Sequence, residues 1–510
     1  MSETMFITLF ATLAVTLISS VFLLHPRIPV RYVRIHVSLL VLPIAVALAG
    51  LVGADKNVAI GPWRSDMLAW LMALYIFMFG WMIQRFCIRY LHGDRAYRMY
   101  FMLLTFTVSA ASITWMSDDL RLLVLCWGMP LLGLTLLAMQ KKEWQPVRVT
   151  VMQMARMFLL SWIALLAAAI WLWQATGYWR LSFALSKESI AGLEWWEADG
   201  VNVLLVLAAI IPAGQWPFQR WLLESTVTPT PISAVMHAGL VNAGGLLLTR
   251  FSPLFSGNGS QMLLLMIASV SVLIGTGISL VQVDYKRQLV ASTMAQMGMM
   301  FIQCALSAYA AAVIHLVLHG LFKATLFLQS GSVVPRPHKM FRPSLTLSKA
   351  WLLGGAIFGF ALGLVFWMTS PEENTRLLSA LLLGWSLAFA WGRLAVLKEG
   401  RWIGVAVLAG LALASEVMHS GLMALLYKTL PPSSSTSMIT EMAAVLMFGL
   451  GGLASIWFSV HRSSDSFAYL YMWLVHIGEP RSESVEGHPH YLVTYLQEEG
   501  VVDEQGNRIA

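Results

Sequence analysis

Apolar runs of about 20 residues recur along this 510-residue chain almost to its end, divided by short breaks rich in Gly, Pro or charge. A run of that length crosses the hydrocarbon core of a bilayer as a helix, which satisfies its own backbone polar groups where water is absent. About fifteen such segments are read from the sequence, at residues 5–24, 34–53, 67–87, 97–116, 121–139, 156–176, 200–214, 231–251, 261–282, 289–306, 309–330, 349–369, 376–396, 402–427 and 438–460. The expected fold class is therefore an all-α polytopic membrane protein with no large soluble domain between its spans. The chain is 58% hydrophobic and 12% charged, about half the charged fraction of an ordinary soluble domain. The opening "MSET" lacks the basic residues of a secretory signal, so the first segment is expected to stay as a span.

Lys and Arg fall on alternate loops. "HPRIPVRYVR", "QRFCIRYLHGDRAYR", "QKKEWQPVRV", "VDYKRQ", "VPRPHKMFRPSLTLSK" and "LKEGR" are basic, whereas "WMSDDL", "LEWWEADG", "SPLFSGNGS" and "SPEENTR" are neutral or acidic. The positive-inside rule then places the N-terminus outside and the C-terminal tail in the cytoplasm. The net charge of +7 is spread over many loops instead of forming one stripe, which argues against nucleic acid as a partner. Cys87, Cys126 and Cys304 are isolated, so neither a disulfide framework nor a zinc site is indicated, and there is no phosphate-binding loop, dinucleotide-binding glycine pattern or haem motif. No cofactor is expected in this chain, and its energy source is expected to be an ion gradient or a partner.

Within the spans, "VIHLVLHGLFKATLFL" carries His315, His319 and Lys323 at i, i+4 and i+8, drifting only about 40° per step around a helix. Each ionisable group at bilayer depth costs about 2.5–3.5 kcal/mol on insertion scales. Any one of the three fits helix packing or snorkelling as well as function. Three on one stripe point to a polar path, since imidazole exchanges protons near neutral pH and buried amines in general shift toward that range.

The stretch "IIPAGQWPFQRWLLESTVTPTPISAVMHAGLVNAGG" adds a second cluster. Pro212 and Gly214 are expected to break the preceding span, leaving Arg220 and Glu224 on the aqueous side. Pro229 and Pro231 then restart a helix bearing His237, which alone fits packing or proton handling equally well. Glu416 and His419 form an i, i+3 pair, read as an internal hydrogen-bonded pair in preference to a proton site. Asp284, Lys286 and Arg287 read as a solvated cluster at a helix entrance in preference to a site.

At these residues the sequence resembles a known group. "PTPISAVMHAGLVNAGG" and "VDYKRQLVASTMAQMGMMFIQCALSAYAAAVIHLVLHGLFKATLFLQSGSVV" look like the antiporter-like subunits shared by respiratory complex I (subunit 5) and multisubunit cation/proton antiporters, over about residues 85–335. The resemblance implies two inverted repeats around discontinuous helices, here residues 97–251 and 261–396, between N-terminal spans (1–96) and C-terminal spans (397–460) with a tail at 461–510. It also implies a cation path through His237, His315, His319 and Lys323. "HAGLVNAGG", "RYLHGDRAYRMYF" and the tail "YLYMWLVHIGEPRSESVEGHPHYL" are most similar to DabB-type subunits of DAB inorganic-carbon complexes. That group implies a DabA-like, zinc-bearing, carbonic-anhydrase-like partner on the cytoplasmic side, H⁺ or Na⁺ as the driving ion, and catalysis in the partner.

There are departures from the wider superfamily. By position, its fifth-span glutamate becomes Trp127 and its seventh-span lysine becomes Pro212, and the twelfth span, "AWLLGGAIFGFALGLVFWM", is uncharged. The resemblance therefore implies a half-channel centred on the second repeat. The leading expectation is a membrane subunit that takes up CO₂ or bicarbonate on an ion gradient. Its competitors are a proton-pumping or antiporter subunit of a respiratory NADH-quinone oxidoreductase or multisubunit antiporter, and a non-conducting scaffold.

Overall fold

The computed structural model describes residues 2–53, 58–255, 259–330, 349–369, 376–394, 400–426, 438–461 and 464–479. The basic loop at 334–348, most of the acidic "SPEENTR" and basic "LKEGR" loops, and the tail beyond residue 479 lie outside the described residues. Helices overlie every apolar segment expected from the sequence. In chain order they are α1 (Ser2–Phe22), α2 (Tyr32–Leu39), α3 (Val41–Val52), α4 (Met67–Tyr90), α5 (Tyr97–Thr114), α6 (Leu120–Ala138), α7 (Gln145–Thr176), the short α8 (Leu181–Ala184) and α9 (Lys187–Ala191), and α10 (Trp195–Ile210). There follow α11 (Arg220–Glu224), α12 (Thr230–Ala238), α13 (Ala243–Arg250), α14 (Gly259–Val281), α15 (Tyr285–Ala305), α16 (Tyr309–Gln329), α17 (Lys349–Thr369), α18 (Arg376–Leu394), α19 (Arg401–Leu426), α20 (Met438–Val460) and α21 (Asp465–Gly478). Ten stretches among the described residues are long and apolar enough to cross a membrane. The other expected spans fall on α5, α10, α15, α18 and α20; of these α10 is short, at 16 residues, and α15 is the more polar. A small antiparallel hairpin, Val58–Ile60 with Trp63–Ser65, is the one strand pair among the described residues.

Two breaks have local causes. Pro43 has no N–H for the Leu39 carbonyl, and the expected span at 34–53 is divided there into α2 and α3. Past α10, the chain turns through Ile211–Gly214 with Gly214 at φ +58°. A Cβ at Gly214 would also lie 2.6 Å from the Leu222 side chain, so both backbone and space require glycine. Protein groups take up the polar atoms this break frees. Gln215 N donates to Ile210 O (3.1 Å), Trp221 Nε1 donates to Ile211 O (2.9 Å), and Gln215 Nε2 donates to Ala213 O and Met294 O (both 3.1 Å). Such pairing is the condition for irregular backbone at membrane depth.

Trp221, Tyr100, Phe101, Phe251, Phe301 and Phe327 are fully buried in the main core, and a second cluster around Trp70, Phe77, Leu9 and Ala47 ties α1 and α3 to α4. By contrast α17, α19 and α20 expose long apolar faces, as spans that meet lipid do. Polar clamps fix the two edges of the bundle. At one, Asp66 caps α4 through Ala69 N (2.7 Å) and pairs with Arg250 at the end of α13 and with Arg64 Nε (3.0 Å), while Arg250 Nη2 donates to Trp115 O (2.6 Å). At the opposite, basic edge, Arg98 donates to Leu23 O (3.1 Å), His25 O (2.6 Å) and Ile28 O (2.6 Å), and Lys141 pairs with Asp94.

Candidate functional site

The site forms where α16 packs along α12. Gly320 makes the close approach possible: a Cβ there would collide with the Tyr75 hydroxyl and lie 2.7 Å from Ala238 O. Pro229 and Pro231 start α12 where no intrahelical donor is needed, and the helix stops at Ala238, with a 3₁₀ turn over Leu240–Asn242 before α13. The apolar pattern predicts one span over 231–251, so this second break departs from it. The Ala238 carbonyl it frees accepts from Asn242 Nδ2 (2.9 Å) and from Tyr75 Oη (2.8 Å), so α4 is pinned to the break by a single hydroxyl.

His237 is fully buried at the end of α12, its ring stacked on Phe327 of α16 with centroids 4.5 Å apart. His319 is 7% exposed and Lys323 is 1% exposed, while His315 is partly buried with its ring 5.9 Å from that of His319. The expected stripe is therefore real: it turns inward and meets His237 across the α12–α16 contact. No protein hydrogen-bond partner reaches either ring nitrogen of His237 or His319 among the described residues. Leaving one such buried group unpaired costs about 1–3 kcal/mol. Four such nitrogens lie along one seam, on His237 and His319.

Lys323 is held differently. Its Nζ donates to Leu289 O (2.8 Å) and to Ser292 Oγ (2.9 Å), both on α15. On the same helix and nearer the basic edge, Lys286 Nζ donates to Thr226 O (2.8 Å) and to Thr228 O. Lys286 is thus engaged in the protein, not solvated as expected, and Asp284 caps α15 by accepting from Arg287 N (2.7 Å). On the other side of His315, Gln261 Nε2 donates to Ser307 Oγ (3.1 Å), beside Tyr309, and all three are buried. A row of polar groups therefore runs along α15 and α16 from Tyr309 through the histidines and Lys323 to Lys286. His315 to Lys323 alone covers about 12 Å of helix.

Other expected residues fall elsewhere. Glu224 is 4% exposed and so is buried, not on the aqueous side, whereas Arg220 is exposed. Glu416 accepts from Thr369 Oγ1 (2.7 Å) and Ser420 Oγ (3.3 Å), and His419 packs on the Phe366 ring at 5.0 Å, so the expected hydrogen-bonded pair is replaced by contacts to α17 and within α19. Neither belongs to the α12–α16 seam. Sequence reasoning missed Tyr75, Ser292 and Gln261, and also buried His36, whose ring nitrogens lie 3.1 Å from Ser19 Oγ and 2.9 Å from Thr105 Oγ1.

In the first repeat, the position where the wider superfamily carries its fifth-span charge is packed. Trp127 is buried, its Nε1 donates to Ser161 Oγ (3.3 Å), and Ser161 Oγ donates to Ala208 O (2.7 Å). Trp127, Trp115, Val235 and Leu240 help to line an apolar cavity of about 80 Å³ beside the α12 break. Pro212, at the α10 break, brings no charge.

Residues 117–398 match the NADH:quinone oxidoreductase/Mrp antiporter transmembrane family. The chain is 52% identical to the probable inorganic carbon transporter subunit DabB of Bacillus subtilis (strain 168), over 94% of this chain and 95% of that one. It is 48% identical to the probable inorganic carbon transporter subunit DabB of Bacillus anthracis, over 96% and 97%. In fold it is similar to a chain of the Mrp complex from Dietzia sp. DQ12-45-1b, with a TM-score of 0.60 at 19% identity, covering 92% of this chain and 59% of that one. The chain, an all-α polytopic membrane protein, belongs to the DabB family of inorganic carbon transporter subunits, within the NADH:quinone oxidoreductase/Mrp antiporter membrane proteins.

Proposed function

We propose that this transporter subunit conducts cations, protons foremost, along His237, His315, His319 and Lys323 to drive inorganic carbon uptake by a two-subunit complex. The observation that carries the reading is the buried seam in which unpaired His237 and His319 nitrogens face a row ending at Lys323 and Lys286. Neutral imidazole offers one donor and one acceptor, so a proton taken at one nitrogen can leave from the other. Lys323, tethered by two bonds to α15, is the movable charge next in line. Residues 97–251 and 261–396 are the two antiporter-like repeats; the first keeps His237 but has Trp127 and Pro212 where the wider superfamily carries charge, and the second holds His315, His319 and Lys323.

The partner is a zinc-bearing, carbonic-anhydrase-like subunit bound on the cytoplasmic side, where the basic loops place the C-terminal tail. Catalysis alone only speeds an equilibrium, so net accumulation requires that ion flow bias the partner between conformations. Trp127 and Pro212, in place of charged residues, weigh against a redox-linked pump. The test is co-purification followed by uptake of labelled bicarbonate with and without an uncoupler. A zinc-bearing partner with uncoupler-sensitive uptake is expected. A zinc-free partner, or uptake indifferent to the gradient, overturns the reading.

A further inference from the structure

The basic edge carries a feature that ion conduction does not use. A cavity of about 880 Å³ opens there between α2, α4 and the end of α16, lined by Arg34, Arg85 and Arg89 together with Phe86, Ile88 and Leu328. Its volume falls within the usual range for small-molecule sites. Some charged groups at this edge are engaged: Arg98 holds three carbonyls and Asp94 is paired with Lys141. Arg34, Arg85 and Arg89 differ. Among the described residues no carboxylate pairs with them and no hydrogen bond engages their guanidinium groups; Arg85 lies over the Trp81 ring at 5.3 Å. Arg85 and Arg89 stand one turn apart on α4, so they project to the same side, and Arg34 reaches the cavity from α2. Tyr90 fixes the wall by donating to Thr230 Oγ1 (3.3 Å) at the start of α12.

Three guanidinium groups around an apolar floor match one chemistry. A guanidinium fork bonds phosphate oxygens in bidentate fashion, and aliphatic and aromatic walls at membrane depth receive acyl chains. We propose that this cavity binds the phosphate of an anionic glycerophospholipid, with its acyl chains against Phe86, Ile88 and Leu328. The apolar floor is what favours a lipid over free phosphate. The site also adjoins the contact between α4 and the start of α12, so an occupied cavity braces the helix that carries His237.

The test uses the full chain purified in mild detergent and native mass spectrometry during titration with phosphatidylglycerol, phosphatidylcholine or inorganic phosphate. One phosphatidylglycerol is expected to be retained per chain in preference to phosphatidylcholine, undisturbed by millimolar inorganic phosphate. The triple variant Arg34→Gln, Arg85→Gln, Arg89→Gln should bind it roughly a hundredfold more weakly, from three basic residues at a membrane surface. Equal retention of the two lipids, unchanged retention by the triple variant, or displacement by inorganic phosphate overturns the proposal. Should the triple variant fail to fold, Arg34→Gln alone is expected to weaken retention about fivefold, and no change overturns it. None of these readouts depends on carbon uptake, so this proposal and the transport reading fail separately.

Discussion

Replacing Lys323 separates conduction from scaffolding, and the structure sets the magnitude. Its ammonium makes two hydrogen bonds, to Leu289 O at 2.8 Å and Ser292 Oγ at 2.9 Å, and it is 1% exposed. Each charged bond contributes about 1.5–3 kcal/mol, but removing a buried charge also removes a desolvation penalty of several kcal/mol. The two largely offset, so Lys323→Ala should alter stability by no more than about 2 kcal/mol and still assemble with its partner. Labelled bicarbonate uptake, measured per assembled complex, should nevertheless fall at least about tenfold, equivalent to about 1.4 kcal/mol. Lys323→Arg sharpens the test: arginine keeps the charge but does not release a proton near neutral pH. A fixed charge predicts near-normal uptake in that variant, and proton exchange predicts its loss. Uptake within about twofold of the unsubstituted protein in an assembled Lys323→Ala complex would refute the reasoning.

Gly320→Ala drives a methyl group into Tyr75 Oη and toward Ala238 O at 2.7 Å, so it should cost about 1–3 kcal/mol as an overpacking change. Thermal unfolding in detergent measures it, and the double variant with Tyr75→Phe should cost less than the two single changes summed. Arg250→Met leaves buried Asp66 with Arg64 as its remaining charged partner and should cost about 3–5 kcal/mol, with Asp66→Asn restoring part of the loss. Burial pushes the Asp66 carboxyl up, but Arg250 and Arg64 more than offset this and hold it below the usual carboxylate range. Its stabilisation is therefore present above about pH 4, the unfolded value, and lost as pH falls through the lower folded value. A melting series in acid that shows the Asp66→Asn protein losing as much stability as the parent would contradict that assignment.

The membrane architecture was legible because apolar length is a local signal: each expected segment overlies a helix. The break at Pro212 and Gly214 was legible for the same reason, since proline acts on its own turn. The break after Ala238 was not, because no proline marks it; Asn242 and Tyr75 sustain it, and Tyr75 lies 163 residues away. Glu224 was misplaced because a charged residue after an aromatic cluster looks like an interface, whereas here the following turn folds it inward. The helical spacing of His315, His319 and Lys323 predicted their common face, whereas only the family resemblance groups His237 with them, and its stacking on Phe327 of α16 is visible only in the packing. The signal available for Ser292 was its place on α15 opposite Lys323, which becomes visible only once both helices are built.

The central claim, that a cation gradient acting through the α12–α16 seam drives carbon uptake, is tested most directly in sealed proteoliposomes holding the assembled complex. Labelled bicarbonate and internal pH are followed together after a proton gradient is imposed. The account predicts uptake that accelerates with the gradient, collapses on adding an uncoupler and is absent from Lys323→Ala complexes. Uptake that proceeds at the same rate with and without the gradient would contradict it.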